Sequence, residues 1–536
     1  MLFRSNVPHH HRASTFLPVD YKLEENADGS RTVWVGETEL RQRLKWMVGL
    51  TLRPGRSWVE ATVRVVNPTP FTTSFLYWAN VAVHADSSYQ VIFPPSVDWG
   101  VGHAKHEFTR WPWSDDVYGG MEGYTGGRDL SWWKNHPSPI SIFAFEAGED
   151  FMGGYNHKLD AGVLHVADHH LVPGKKLWEW GPGTVAQAWD KILTETDGPY
   201  IEIMVGAFSD NQPDYSWIQP GEVKTFTQRW YPIRAIGGAK NTNTEAAVNL
   251  TMDGGRAEVG FNVTSARPGC RVILTRNGQN ILEETADLSP GSPYTKKVDL
   301  PAGTQETELR AALLDNLGRE LVAYQPVKRE PAPRPEAVTA PEHPEKIKTN
   351  EELLLAGQRL EQFHSAAMEP DPYYEEALRR DPGDYRVNTA LGLMHLKRGR
   401  FEDARKLFEA AVARITAQHT RPRDGEALYY LAVTSEFLGD YAGAEEAFYR
   451  ASWSAAWYSQ SFHALARLAC RKGDFNTALE RLERARSANT QDARILCLEA
   501  AALRHLGRSG AAAELAAQAL ALDCLDHVAA CELALD

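Results

Sequence analysis

Four short segments near the end of this chain repeat in register: Gly399-Arg400-Phe401, Gly439-Asp440-Tyr441, Gly473-Asp474-Phe475 and Gly507-Arg508-Ser509. The glycines are separated by 40, 34 and 34 residues. Each segment is followed at helical spacing by small and bulky apolar residues. These are Ala404, Phe408 and Ala411, then Ala444, Phe448 and Ala451, then Ala478, Leu482 and Ala485, then Ala512, Ala516 and Ala519. Such a repeat restricts the fold strongly. One helical pair cannot bury its apolar face alone, so neighbouring pairs must stack into a solenoid. Small residues let paired helices approach, and the glycine permits the tight turn between them. The longer first interval fits an insertion in the Arg414–Asp424 connection.

The front of the chain is built differently. Fourteen of the sixteen tryptophans fall in the first 230 residues, with eleven of the eighteen histidines. Segments that alternate apolar and polar residues are frequent, among them Trp46–Leu52, Trp58–Val66, Ser74–His84, Ile140–Phe145, Tyr200–Gly206 and Val223–Tyr231. Asp28-Gly29 is a hairpin turn signal. This grammar predicts an all-β supersandwich over residues 1–235. A second run of strand-like segments over 240–328, with Asn277-Gly278 as a turn, predicts a small β-sandwich that serves as a spacer or packing domain. Residues 329–348 are Pro-rich and charged, and predict an extended linker that lets the two halves act separately. Residues 349–536 predict the all-α solenoid.

Composition excludes some functions. A net charge of −13 lacks the basic footprint of a nucleic-acid partner. No apolar run reaches the ~18 residues of a membrane span. The five cysteines show no C-x-x-C spacing, and reduced buried thiols in a cytoplasmic protein are expected. The opening Met1–His11 carries no signal-peptide pattern. It reads as a β domain entered part-way, which suggests an N-terminally incomplete chain. Neither His9-His10-His11, His103/His106 nor His165–His170 matches a zinc spacing, and adjacent histidines on a strand point to opposite faces. No metal and no cofactor are therefore expected.

Two segments carry candidate chemistry on strands. Over 74–84, alternation puts Trp78, Asn80 and His84 on one face. Over 198–206 it puts Glu202 beside Tyr200 and Met204. The stretch from Phe93 to His136 is irregular and dense in aromatic and acidic residues, including Asp98, Glu107, Trp132 and Trp133. Such a segment in a β domain is a functional loop or an aromatic-stapled cover. A flat indole suits stacking on a sugar face, and its N–H seeks a partner. Two readings follow. In one, the β domain is a glycosidase-like enzyme. Glu202 is then the first catalytic carboxylate, with Glu107, Asp98 or Asp210 as its partner. Trp78, Trp132, Trp133 and Trp180 would stack on sugar rings, while Asn80, His84 and His169 bind hydroxyls. In the other, the domain binds saccharide or only scaffolds, and the helical array recruits a protein partner.

The repeat resembles the tetratricopeptide repeat. The motifs YWANVAVH (77–84), FPPSVDWG (93–100), SWWKNHPSP (131–139), DHHLVPGKKLWEWG (168–181) and PYIEIMVGAFSDNQPDYSW (199–217) resemble the galactose-mutarotase-like β-supersandwich. More closely, the layout is similar to an uncharacterised bacterial family. There, such a domain precedes an immunoglobulin-like module and a tetratricopeptide array. The resemblance implies a carbohydrate-handling domain. Mutarotases use a His acid and a Glu base on the concave sheet, for which His84 and Glu202 have suitable chemistry.

Overall fold

The structure, a computed structural model, describes residues 16–115, 118, 127–194, 196–365 and 367–535. His9, His10 and His11 lie outside the described residues, as do Asp116 and Tyr124 of the aromatic loop. Two antiparallel sheets face each other in the first 235 residues. The larger has eight strands in the order Asp20–Glu25, Arg31–Thr38, Lys45–Leu52, Val59–Val66, Val223–Arg234, Ala161–Val166, Phe151–Asn156 and Tyr89–Ile92. The smaller has six, in the order Tyr77–His84, Tyr200–Ala207, Gly174–Glu179, Ile140–Ala144, Trp99–Val101 and Phe108–Arg110.

Strand alternation sets what each face carries. In the smaller sheet, register aligns Val81, Ile203, Leu177 and Ile142 across four strands. This row meets Val48, Ala61, Val63, Val65 and Phe226 of the larger sheet in one core. The next row, shifted by one residue, is Ala82, Glu202, Trp178 and Ser141. It faces away from that core.

One polar chain crosses the core. Tyr77 accepts from Gln228 Nε2 at 2.6 Å, and Gln228 Oε1 lies 3.2 Å from His165 Nε2. Burial, then the Lys175 charge, pushes the His165 pKa down to about 3.

Residues 241–324 form two four-stranded antiparallel sheets around Val248, Val259, Phe261, Val272 and Leu313. The module packs on the first domain through a shared cluster with Trp58, Tyr231, Ile236 and Ala247. The packing role expected of it is thus visible.

The helical half is a stack of antiparallel pairs: Tyr385–Lys397 with Phe401–Thr416, Glu426–Phe437 with Tyr441–Ala451, Tyr458–Arg471 with Phe475–Ala488, and Ala493–His505 with Ser509–Leu522. Gly399, Gly439, Gly473 and Gly507 turn each pair with φ between +71° and +80°, the left-handed region that glycine adopts without strain. An earlier pair, Asn350–Gln362 with Asp371–Arg380, lacks that turn signature. The repeat spacing alone did not reveal it.

The linker corrects one expectation. Residues 325–343 are extended, but they do not separate the halves. An extended backbone keeps its amide and carbonyl groups free of internal bonds, and here they bind the smaller sheet. Ala332 N donates to Asp98 Oδ2 at 3.1 Å, and Ala332 O accepts from the Trp99 indole at 3.1 Å. Val338 N donates to Lys105 O at 2.9 Å. The array then folds back onto the β domain. Lys45 Nζ pairs with Asp523 at 2.5 Å, and Asn489 Nδ2 donates to Gly221 O at 2.9 Å. Arg494 donates to Pro68 O. Tyr430 accepts from Thr72 N at 2.9 Å and donates to Thr72 Oγ1 at 2.7 Å.

Both Thr72 and Tyr430 are buried. Tyr430→Phe therefore strands a buried N–H and is expected to lower stability by ~1–3 kcal/mol in urea unfolding of the full chain. The same change in residues 349–536 alone should cost almost nothing. Equal costs in both would contradict the docking.

His165 also sets a pH response. His463, half-buried in the array, is likewise pushed down to about 3, by desolvation and then by Arg494. Unfolded histidine takes its proton near pH 6.5, while these two stay neutral to about pH 3. Between those values the unfolded state binds more protons, so stability is complete above pH 6.5 and falls on acidification. His165→Gln should flatten the fall by up to ~1.4 kcal/mol per pH unit. Urea unfolding from pH 7 to pH 4 measures it, and an unchanged slope would refute the assignment.

Candidate functional site

The outward row of the smaller sheet is the place where polar and aromatic side chains converge. Glu202 stands on the Tyr200–Ala207 strand between Ala82 and Trp178 of its neighbours. Asn80 Nδ2 donates to Glu202 Oε2 at 2.6 Å, which fixes the carboxylate and leaves Asn80 Oδ1 without a protein partner. One residue pair further along, His84 lies opposite Tyr200 with its side chain exposed.

Aromatic rings continue this row. Trp178 and Trp180 meet edge to face at 4.8 Å, and the Trp180 indole donates to the Tyr200 hydroxyl at 3.2 Å. Trp189, on the helix Thr184–Leu193, stacks on Trp180 at 5.1 Å and 14°. Gly181, with φ +76°, lets the chain turn out of the strand toward this helix. Burial pushes the Tyr200 pKa up, opposed by the Trp180 hydrogen bond. Trp178, Trp180, Tyr200, Glu202 and Asn80 are all half-buried, so each offers part of its surface.

A cavity of about 430 Å³ adjoins Trp178. Ser141, Tyr118, Glu107, His103 and His106 line it. Beside it, buried Lys176 donates to Gln212 Oε1 at 2.7 Å and lies 3.3 Å from His103 Nε2. Lys105 bonds Asp210 at 2.9 Å and Asp214 at 3.1 Å. Burial draws the Lys105 pKa down, but the two aspartates outweigh it and hold it above its usual value.

The other candidates go elsewhere. Trp78 shares the outward face but is completely buried against Phe143 at 5.3 Å. Gly206 and Gly174 make room for it, since a Cβ at either would sit 2.6 or 2.7 Å from its ring. No face of Trp78 is open for stacking. Trp133 is buried in the core between the sheets. Trp132 stacks on His157 at 5.0 Å beside the Tyr89–Ile92 strand of the larger sheet. The segment holding both is tied down by His136, whose ring bonds the equally buried Glu179. Burial pushes the Glu179 pKa up, opposed by His136. Asp98 holds the linker, and Asp210 holds Lys105.

His169 bonds Asp150 at 2.8 Å, in the turn before Gly174. The expectation that adjacent histidines diverge fails here, because His169 and His170 lie in a turn and not on a strand. Their ring centroids are 4.0 Å apart, and ligand atoms of Asp168, His169 and His170 lie within 4.8 Å of one another.

Comparisons with known proteins divide the chain in the same way. Residues 4–233 match a domain of unknown function, DUF5107. Residues 241–324 match the second domain of YphG-like proteins, and residues 384–452 and 463–523 match tetratricopeptide repeats. The chain carries in tandem a DUF5107 domain, a small β module and a tetratricopeptide array. Among solved structures it is similar to a TPR-domain containing protein from Parabacteroides distasonis ATCC 8503, at 16% identity, over 96% of this chain and 73% of that one, with a TM-score of 0.36. It is also similar to YrrB, a TPR protein with an unusual peptide-binding site, at 14% identity, over 33% and 89%, with a TM-score of 0.29. PilW, a type IV pilus biogenesis factor, matches at 20% identity, over 35% and 81%, with a TM-score of 0.30. Among the described residues no helix is long and apolar enough to cross a membrane.

Within the DUF5107 domain, the structure thus brings together Glu202, Asn80, His84 and Trp180 of the sequence candidates. It adds Trp178, Tyr200, Trp189 and Lys176. Strand alternation through Trp178 and Trp180 was a signal for the first. Trp189 sits on the one α-helix among the described residues of the domain, and an isolated helix in a β-rich sequence leaves little mark. Lys176 has no sequence signal, because its neighbour Lys175 looks identical and points into the core.

Proposed function

We propose that the DUF5107 domain binds a saccharide on the outward face of its smaller sheet, and that the tetratricopeptide array engages a protein partner. The observation that carries the first part is the half-exposed row Trp178, Trp180 and Tyr200 beside the Asn80–Glu202 pair. Rings stack on the apolar face of a pyranose, while a carboxylate fixed by Asn80 accepts hydroxyl hydrogens. The motif resemblance to mutarotase-like sandwiches supports the same ligand class. The array's exposed Phe437 and Trp453 support the second part, as aromatic side chains are enriched in protein interfaces.

None of the three carboxylates expected as partners of Glu202 is placed beside it for hydrolysis. Glycosidases need two within ~10 Å. Glu107 lies on the turn between Trp99–Val101 and Phe108–Arg110, three strands from Glu202. That is ~14 Å of sheet. Asp98 and Asp210 are engaged by the linker and by Lys105.

A glycan panel followed by calorimetry tests the reading. Trp178→Ala and Trp180→Ala should each weaken the best ligand by about fivefold or more, the value of ~1 kcal/mol of ring contact. Trp132→Ala, distant from the row, should leave affinity unchanged. Weakening by Trp132→Ala alone would move the site. Turnover of a ligand that vanishes in Glu202→Gln would replace binding by catalysis.

A further inference from the structure

Where the array meets the DUF5107 domain, a chamber of about 650 Å³ stays open, within the size range of small-ligand sites. The β domain contributes Trp217 and Gln219. Leu354 and Leu393 come from two helices of the array. The start of the helix Glu426–Phe437 and the 417–425 connection complete the wall, the connection being the insertion that makes one repeat interval longer than the others. The irregularity in the period therefore has a structural product, a pocket that neither module forms alone.

Three carboxylates line this chamber: Glu361, Asp424 and Glu426. Two have partners. Glu361 pairs with Lys397 at 3.1 Å. Asp424 accepts from the Trp457 indole at 3.0 Å and from the Glu426 amide at 3.1 Å. The Glu426 carboxyl has neither a hydrogen bond nor an ion pair among the described residues. Burial, then Asp424 and Glu361, push its pKa up to about 7, against Lys397. The guanidinium groups at the chamber are otherwise occupied or exposed. Arg386 bonds Glu351, Arg421 donates to Trp453 O at 3.0 Å, and Arg423 is exposed.

A half-buried carboxyl group beside two others, with no cation bonded to it, is poorly compensated. A cation from outside compensates it. We propose that this chamber accepts an alkylammonium or alkylguanidinium group, with the cation on Glu426 and its apolar stem along Leu354, Leu393 and Trp217. The source is a free amine or the Lys or Arg side chain of a peptide. The site shares no residue with the sheet face and does not rest on the saccharide reading.

Calorimetry on the full chain tests this with agmatine, an end-blocked pentapeptide bearing a central lysine, and its norleucine counterpart. At least one cationic probe should bind with Kd below about 1 mM, and the norleucine peptide should bind at least about tenfold more weakly. Glu426→Gln, which removes the charge without changing shape, should weaken the cationic probe about tenfold or more. Ala390→Trp, which fills the chamber from the opposite helix, should do the same, with circular dichroism confirming that both variants are folded. Agmatine binding alone identifies a free amine, and peptide binding alone identifies a chain segment. The proposal is overturned if no cationic probe binds, or if the folded variants bind as the parent does.

Discussion

The turn from Asn67 to Thr72 is the contact on which the whole arrangement depends. Asn67 is completely buried and bonds in several directions. Its amide donates to Phe71 O at 2.7 Å and to Ile218 O at 3.1 Å, while its oxygen accepts from Thr69 N at 3.0 Å. These bonds hold a loop that would otherwise be mobile. They present Phe71 to Phe437 of the array, and Phe437 in turn stacks on Phe401 at 5.0 Å. Thr72 then meets Tyr430, whose ring belongs to the array's own core. One side-chain amide thus organises a backbone turn, and the turn inserts into a solenoid more than three hundred residues away.

This docking explains why the linker is ordered without secondary structure. It has to run from the small β module back across the smaller sheet to reach the array. Polar groups on that path are bonded at each step, by Asp98, Trp99, Phe108 and Lys105. Ala332 even joins the small apolar cluster of Trp78, Trp99 and Phe143. The sheet's outward face is therefore divided. One part is a second core, sealed by the linker and the 209–215 loop. The other part, around Glu202 and Trp178, stays open.

The division shows which features were legible in sequence. The solenoid was, because its signal is local: a glycine with positive φ recurs in four units, followed two residues on by an aromatic in three of them. The strand rows were also legible, since alternation assigns Asn80, Glu202 and Tyr200 to one face regardless of what covers them. Covering is what the sequence did not disclose. Trp78 and Trp180 have similar neighbours and similar chemistry, yet one is sealed and the other open. The difference lies in Gly174 and Gly206, which admit the Trp78 ring, and in a linker drawn from another part of the chain. Trp132 and Trp133 were misplaced for a related reason. Their position follows from a buried His136–Glu179 bond across 43 residues, which leaves no periodic trace. The array's return to the β domain was hidden in the same way, because it uses isolated polar contacts and the single ring of Phe71, with no apolar stripe.

The fold-back also constrains how the two modules communicate. The bonds of the linker and the contacts at Thr72, Gly221 and Lys45 tie the β domain to the array. Lys105 illustrates the coupling. Its side chain is held by Asp210 and Asp214 near the Trp178 cavity, and its carbonyl holds Val338 of the linker. A ligand that displaces the 103–107 turn must disturb the linker, and through it the first helix of the array. The chamber behind Trp217 lies where the array meets the β domain, with the array's Gln362 donating to the carbonyl of Tyr215 between them. Coupling between sites needs a ligand that acts differently on two arrangements of a shared element. Here the shared element is the segment 209–219, which touches the sheet-face cavity at Gln212 through Lys176 and the chamber at Trp217. This segment and the linker are thus two routes that join the sheet face to the chamber.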